Sequence, residues 1–223
     1  MEKESERLGR ITPLEEIIDR FKHELQKSDP DKGKLDILFR ELHSFATTDN
    51  LTSLINYLSL KYILEKEEAR ALRTKNPISG IVIDLDGFKR YNDNYGHEQG
   101  NEALRTTALV LVNNTRKSDY CARFGGEELF VALPETNLEI ARSIAERIRY
   151  GIENVDIKPH TPLREGYNKI TASLGVTTMD FEYVRTAQEL CAYADRALYE
   201  AKRKGKNRVE VYSPELVEVT SKS

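Results

Sequence analysis

The stretch that most constrains the fold is GIVIDLD, Gly80–Asp86, in which an apolar run ends in two carboxylates. A run that is apolar on both of its alternating faces is typical of a strand covered by other structure on each side. Ionised carboxylates are unfavourable inside such a strand, so Asp84 and Asp86 mark the point where it leaves the core. Because alternate residues of a strand share a face, these two carboxylates are expected on the same side.

The sequence also supplies the elements that could cover such a strand, since helical and strand patterns alternate from Ala46 onwards. The spacing of apolar residues predicts four helices, at about 54–73, ending near 114, around 141–148 and around 190–201. The tetrad TNLE, Thr136–Glu139, predicts a capping box at the start of the third. Further strands are predicted in a hairpin at 121–133, at 169–179 and at 207–212. This order favours an α+β fold of ferredoxin-like βαββαβ type with an antiparallel component.

The first 45 residues are predicted to form a separate helical segment. TPLE, Thr12–Glu15, fits a capped helix start, and Leu14 to Leu25 then place apolar residues on one helical face. In a second helix, Leu35, Leu38, Leu42 and Phe45 follow a heptad-like spacing. Two heptads do not distinguish a helical hairpin from a dimerising stalk, so both interpretations stay open.

Composition and charge exclude several classes of function. The formal net charge of -3 provides no basic field for a nucleic-acid polymer. No apolar run approaches the roughly 20 residues that cross a bilayer, and the charged N-terminus lacks the apolar core of a signal peptide. Cys121 and Cys191 lie outside any metal-binding spacing and are expected to be reduced thiols. We therefore expect a cytoplasmic protein with no membrane or nucleic-acid partner.

A second pair of carboxylates lies in the predicted hairpin, CARFGGEELFVAL, where Glu127 and Glu128 follow two glycines. Glycines at a hairpin tip permit a positive φ and let a ligand approach the backbone. Mg²⁺ prefers carboxylate oxygens and commonly links them to substrate phosphates. Together with Asp84, these glutamates are consistent with a metal site, but two groups of solvated turn acids remain the alternative at this point.

Five motifs resemble, in order, those of the GGDEF domain, the diguanylate cyclase family. RFGGEEL at 123–129 resembles the family signature, and DLDGFKRYNDNYGHEQGNEAL at 84–104 resembles its D-I-D-x-F-K-x-x-N-D-x-x-G-H-x-x-G-D run. The other matches are TTDNLTSLIN at 47–56, SLGV at 173–176 and ADRALYEAKRKGKN at 194–207. The resemblance implies a cyclase domain over residues 46–213, between the helical segment at 1–45 and a tail at 214–223.

The resemblance implies a role for each matched residue. Asp84, the backbone carbonyl of Leu85 and Glu127 would hold Mg²⁺, for which Mn²⁺ is a possible substitute. Glu127 would also accept the proton of the attacking 3′-hydroxyl, and Glu128 would assist with the metal ions. The residues implied to bind the substrate GTP are Gly87, Phe88, Lys89, Asn92, His97, Asn101, Lys202 and Lys206. In RKSD, Arg116 and Asp119 would bind the product, cyclic di-GMP, as an inhibitor.

The implied reaction joins two GTP molecules into cyclic di-GMP and releases two pyrophosphates, so a homodimer is expected to bring two nucleotides together. One departure concerns the base, because Asn101 stands where the family has an aspartate that accepts hydrogen bonds from guanine. Asparagine offers one acceptor and one donor group, which predicts weaker discrimination. Two alternatives therefore stay open: a relaxed enzyme that makes cyclic GMP–AMP, and a degenerate domain that only binds cyclic di-GMP. The intact Asp84, GGEE and Lys202 favour an active enzyme over the second alternative.

Overall fold

The structure is a computed structural model that describes residues 13–155, 157 and 170–212. The chain divides into two compact units, Met1–Asn50 and Leu51–Ser223. None of the helices in the described ranges is both long enough and apolar enough to cross a membrane.

The N-terminal unit contains two helices, α1 (Pro13–Leu25) and α2 (Lys32–Thr47), which pack against each other. Asp31 caps α2 by accepting a hydrogen bond from the Lys34 N–H, and Leu38 of the heptad-like spacing is fully buried. The predicted cap of the first helix, Thr12, lies outside the described residues. Whether this pair serves as a dimerising stalk stays a prediction.

The second unit is built on a five-stranded sheet with the order β2-β3-β1-β4-β5. The strands are β1 (Ile78–Leu85), β2 (Tyr120–Arg123), β3 (Glu128–Pro134), β4 (Ala172–Met179) and β5 (Val209–Val211). β1 is antiparallel to β3 and β4, β2 is antiparallel to β3, and β5 is parallel to β4. β1 lies in the centre of the sheet and every one of its residues is buried, as predicted for the apolar run that ends in Asp84 and Asp86. The ferredoxin-like α+β fold is thereby confirmed.

Helices cover both faces of this sheet. They are α3 (Tyr57–Thr74), α4 (Phe88–Tyr95), α5 (His97–Asn113), α6 (Leu138–Asn154) and α7 (Ala187–Arg203). Buried residues of α5 and α6, such as Leu111 and Ile148, belong to one core cluster, and residues of α3 and α7, such as Leu64 and Leu198, belong to the other. The apolar faces predicted for these helices thus form the two layers that bury β1.

One local prediction about a helix start was wrong, and one short helix was not predicted. The side chain of Asn137 caps α6 by accepting from the Ile140 N–H, whereas the hydroxyl of Thr136 donates to the Pro134 carbonyl. The capping box occurs instead at the start of α7, where Thr186 and Glu189 bind each other's backbone N–H. The short helix α4 was also missed, because it follows the buried strand after a turn of only two residues, and it carries two buried side chains.

Candidate active site

The acidic end of β1 lies beside the turn that joins β2 and β3. Asp84 is the register partner of Glu128, so Glu127 in the adjoining turn lies at the same edge of the sheet. The Asp84 side chain is largely buried, and its Oδ2 lies 2.8 Å from the Nζ of Lys202 on α7. The structure thus brings together two carboxylates and a cation that the sequence separates by up to 118 positions, the difference between 202 and 84.

The charges at this edge are not balanced. Burial raises the pKa of Asp84, and the hydrogen bond and charge of Lys202 oppose that rise without cancelling it, with Lys206 opposing it further. Burial also raises the pKa of Glu127. The negative charges of Asp84 and Glu128 raise this pKa further, whereas the positive charge of Lys202 lowers it. Neighbouring carboxylates that raise each other's pKa favour the binding of additional positive charge.

This donor set fits a divalent cation that completes its coordination with other ligands. Within the described part of the chain, no three His, Cys, Asp or Glu side chains cluster as a complete metal site. A cation at this edge would therefore take the carboxylates of Asp84 and Glu127, the Leu85 carbonyl, and oxygens from substrate or water. That mixture of ligands is characteristic of Mg²⁺ in nucleotide sites.

The GGEE turn has a different structural basis from the one expected. Neither Gly125 nor Gly126 has a positive φ, so the turn does not use the conformational freedom that glycines permit. A Cβ on Gly125 would lie 2.7 Å from Glu128 Oε2, a contact that the flexible Glu128 side chain can relieve by moving, and a Cβ on Gly126 would meet nothing. The guanidinium of Arg123 donates to both glycine carbonyls, at 3.2 and 2.7 Å. Arg123 therefore holds the turn in place, a role that its position in RFGGEEL does not reveal.

The residues expected to meet phosphates form the first turn of α4. Gly87 precedes this helix in the left-handed conformation, with φ of 71°, and its carbonyl accepts from the Tyr91 N–H. Phe88 is buried and anchors the turn, while the Lys89 side chain is exposed. A helix N-terminus of this kind presents backbone N–H groups that can bind an anion.

The expected base-binding residues lie where α4 meets α5. Asn92 Oδ1 is buried and has no hydrogen-bond partner among the described residues, and a Cβ on Gly100 would overlap it. Asn101 is half-buried and follows Gly100 in α5, whereas His97 is exposed at the first position of that helix. A buried acceptor without a partner is a suitable position for an N–H donor of a bound base.

The RKSD residues form a turn between α5 and β2, at the opposite end of β2 from Glu127. Asp119 Oδ2 accepts from the Arg116 N–H at 2.7 Å, and the Arg116 side chain is exposed. β2 separates this turn from the GGEE turn by about 13 Å, at roughly 3.3 Å per residue. Arg147 of α6 donates to the Asn114 carbonyl beside Arg116, a second guanidinium at this turn that sequence reasoning missed because it belongs to another helix.

Comparisons with known proteins show the family of the chain. The family model for "Diguanylate cyclase, GGDEF domain" matches residues 46–208. Diguanylate cyclase DosC of Escherichia coli (strain K12) is 38% identical over 168 residues, which are 75% of this chain and 35% of DosC. Response regulator PleD of Caulobacter vibrioides (strain NA1000 / CB15N) is 38% identical over 207 residues, 91% of this chain and 44% of PleD. The chain therefore spans less than half the length of either relative.

A solved structure is similar at the level of the fold. It contains the coiled coil and GGDEF domain of DgcB from Caulobacter crescentus in complex with c-di-GMP. The two chains superpose with a TM-score of 0.70 at 28% sequence identity, over 80% of this chain and 92% of that one.

Proposed function

The chain belongs to the diguanylate cyclase GGDEF domain family, and from that premise we propose that it condenses two molecules of GTP into cyclic di-GMP and releases two pyrophosphates. The observation that carries this proposal is the convergence of Asp84, Glu127 and Lys202 at one edge of the sheet, with carboxylate pKa values raised by burial. The complex of the similar DgcB domain with c-di-GMP supports the product assignment.

In this proposal the chain's own residues bind and orient one GTP. Lys202, Lys206 and the N-terminal turn of α4 bind the triphosphate, while Asn92 and Asn101 face the base. Asp84, the Leu85 carbonyl and Glu127 hold Mg²⁺, or Mn²⁺ in its place, which when bound neutralises phosphate charge and polarises the α-phosphate. Glu127, whose pKa burial raises, accepts the proton of the attacking 3′-hydroxyl. Glu128 supports the turn that presents Glu127.

A second copy of the chain completes the proposed reaction. Each domain binds one nucleotide, and the cyclic product contains two, so two domains must face each other as a homodimer. Because the substrates are held in line before reaction, much of the catalysis is positional. Arg116 and Asp119 would bind cyclic di-GMP at a separate site and inhibit the enzyme. The exposed Arg116 guanidinium is suited to a charged or polar ligand.

The test is to identify the products that purified protein forms from GTP and Mg²⁺ by mass. We expect cyclic di-GMP with two pyrophosphates per product, and a loss of roughly 100- to 10,000-fold in Glu127→Gln. The matched control is Glu135→Gln, at the other end of β3, where an exposed glutamate pairs with Arg70 at 2.6 Å. Equal activity in both variants would contradict the assignment of Glu127. Binding of cyclic di-GMP without any turnover would instead favour a receptor.

Asn101 supports a second candidate, a cyclase with relaxed base selectivity. Its amide leaves one guanine donor without an acceptor, which reduces discrimination by roughly tenfold to a hundredfold. In an equal mixture of GTP and ATP we therefore expect some cyclic GMP–AMP, and we expect Asn101→Asp to suppress it. If wild type and Asn101→Asp both give cyclic di-GMP alone, other groups select the base.

A further inference from the structure

The connection between α7 and β5 contains three consecutive residues in the left-handed region. Gly205, Lys206 and Asn207 have φ values of 113°, 65° and 45°. Only the first lacks a side chain, and left-handed conformations are unfavourable for other residues. Asparagine tolerates this region better than most residues do. Such a run persists where its surroundings hold it, and it occurs often at functional sites.

Asn207 is the residue by which the fold holds this connection. Its backbone N–H donates to Asp86 Oδ2 at 3.0 Å. Its side-chain amide donates to Glu153 Oε1 at 2.8 Å and accepts from the Arg149 guanidinium at 2.9 Å. The connection is therefore bound to the residue after β1 through its backbone and to α6 through its side chain.

The groups that bind Asn207 are themselves fixed. Asp86 accepts hydrogen bonds from the hydroxyls of Thr171 and Ser173, each at 2.7 Å. Arg149 and Glu153 form an ion pair at 2.8 Å on neighbouring turns of α6. Asp86, the residue directly after the central strand, thus differs from Asp84, because its oxygens accept hydrogen bonds from the surrounding structure.

The connection carries Lys206 to the edge where Asp84 lies. The Lys206 N–H donates to the Ala201 carbonyl at 3.0 Å, which directs the chain back over the end of α7. The Lys206 side chain is exposed, and its charge is among those that oppose the rise in the Asp84 pKa, behind the larger effects of burial and Lys202. The location of this cation therefore depends on the conformation of the residue that follows it.

We propose that Asn207 is a positioning residue that holds Lys206 against the polyphosphate of a bound nucleoside triphosphate. The inference rests on the proposed function, since it requires a triphosphate at this edge. Glycine would satisfy the backbone conformation and the hydrogen bond to Asp86. The side-chain amide adds only its bonds to Arg149 and Glu153, and these determine the direction in which the connection presents Lys206.

The test measures binding of two probes by calorimetry in the presence of Mg²⁺. One is 3′-deoxy-GTP, which lacks the attacking hydroxyl, and the other is GMP, which lacks the terminal phosphates. Asn207→Gly retains the left-handed backbone and removes the side-chain amide. We expect it to bind 3′-deoxy-GTP about tenfold more weakly and GMP as wild type does. In the Lys206→Ala background the same change should cause no further loss, because both changes remove one interaction.

The matched control is Glu210→Ala, which removes a carboxylate that pairs with Lys204 at 2.7 Å near the same connection. It should bind both probes as wild type does. Unchanged 3′-deoxy-GTP binding by Lys206→Ala would refute the phosphate role in the proposed function. If Lys206→Ala binds 3′-deoxy-GTP weakly, three results would overturn the positioning role. Asn207→Gly could bind 3′-deoxy-GTP as wild type does, or it could lose affinity equally for 3′-deoxy-GTP and GMP. The third such result is a loss in the double variant that equals the sum of the two single losses.

Melting temperatures of all variants establish that they are folded. Should Asn207→Gly not fold, Glu153→Ala removes the acceptor of the Asn207 amide together with one ion-pair partner of Arg149, leaves Asn207 itself in place, and is expected to give a smaller loss of the same kind. Wild-type binding of 3′-deoxy-GTP by a folded Glu153→Ala would then overturn the proposal.

Discussion

Two largely buried carboxylates, Glu24 of the N-terminal unit and Asp84 at the end of β1, have opposite electrostatic surroundings. Glu24 is 1% exposed and Asp84 is 8% exposed. The Glu24 carboxylate binds Lys27 at 2.8 Å, Lys34 at 3.1 Å and the Asp31 N–H at 3.2 Å. Among the described residues, Asp84 has one ion pair, to Lys202. The hydrogen bond from Lys27 leads the effects that lower the pKa of Glu24 to about 2, whereas burial raises the pKa of Asp84.

The difference separates a carboxylate that stabilises the fold from one that is available for a ligand. Glu24 is matched by donors from its own unit, so its ionised form favours the folded state. The ionised form of Asp84 is disfavoured, and the neighbouring Glu127 has its pKa raised as well. Such groups are retained where a bound partner supplies the missing charge, and perturbed groups of this kind are concentrated at functional sites.

The largest expected effect comes from exchanging each carboxylate for its amide. Asp84→Asn should reduce cyclic di-GMP formation by about a hundredfold or more, because the substitution removes a charged ligand of the cation near the reacting phosphate. Its melting temperature should stay the same or rise, since the substitution removes a disfavoured charge and leaves the partly exposed Lys202 accessible to water. Glu24→Gln should lower the temperature at which the helices of the N-terminal unit melt. Equal destabilisation by both substitutions, followed by circular dichroism, would contradict the comparison.

A smaller effect is expected at the RKSD turn, where Asp119 is engaged by its own turn and Arg116 is exposed. Arg116→Ala should weaken cyclic di-GMP binding by about tenfold or more, since a charge-assisted contact is lost, and turnover should continue at higher product concentrations. Arg105→Ala is the matched control, because Arg105 is an exposed arginine of α5 that pairs with Glu102. Calorimetric titration with cyclic di-GMP would show the same affinity in both variants if this turn does not bind the product.

The smallest expected effect is a pH dependence of the N-terminal unit. Glu24 has a lowered folded-state pKa of about 2 against an ordinary value of 4.5. Its stabilisation is therefore fully present above the ordinary value and is lost as the pH falls toward about 2. The difference in melting temperature between wild type and Glu24→Gln should shrink over that interval. A difference that stays constant down to the lowest pH would show that the charge of Glu24 does not stabilise this unit.

The parts of the fold that the sequence predicted are those encoded by local periodicity. β1 and the buried faces of α6 and α7 follow directly from the spacing of apolar residues. α4 was missed because only Phe88 and Tyr91 of its eight residues are buried, which gives too short a pattern. Thr136 was assigned as a cap because its neighbourhood fits the capping pattern, but its hydroxyl binds the Pro134 carbonyl instead.

The candidate site was only partly accessible from sequence. Asp84 and Glu127 were identified from the sequence, but their assignment to one metal site followed from the family resemblance. The sequence pattern alone left a metal site and two solvated turns as alternatives. The bond between Asp86 and Asn207 joins residues 121 positions apart, so it exists only in the folded chain.

The proposed function rests on one electrostatic claim: Lys202 does not fully offset the negative charge of Asp84 and Glu127, and a divalent cation that binds together with the nucleotide supplies the missing positive charge. It is tested most directly by calorimetric titration of 3′-deoxy-GTP with and without Mg²⁺ into wild type, Asp84→Asn and Glu24→Gln. We expect Mg²⁺ to strengthen binding in wild type and in Glu24→Gln, and we expect this dependence to be lost in Asp84→Asn. The same Mg²⁺ dependence in Asp84→Asn as in wild type would contradict it.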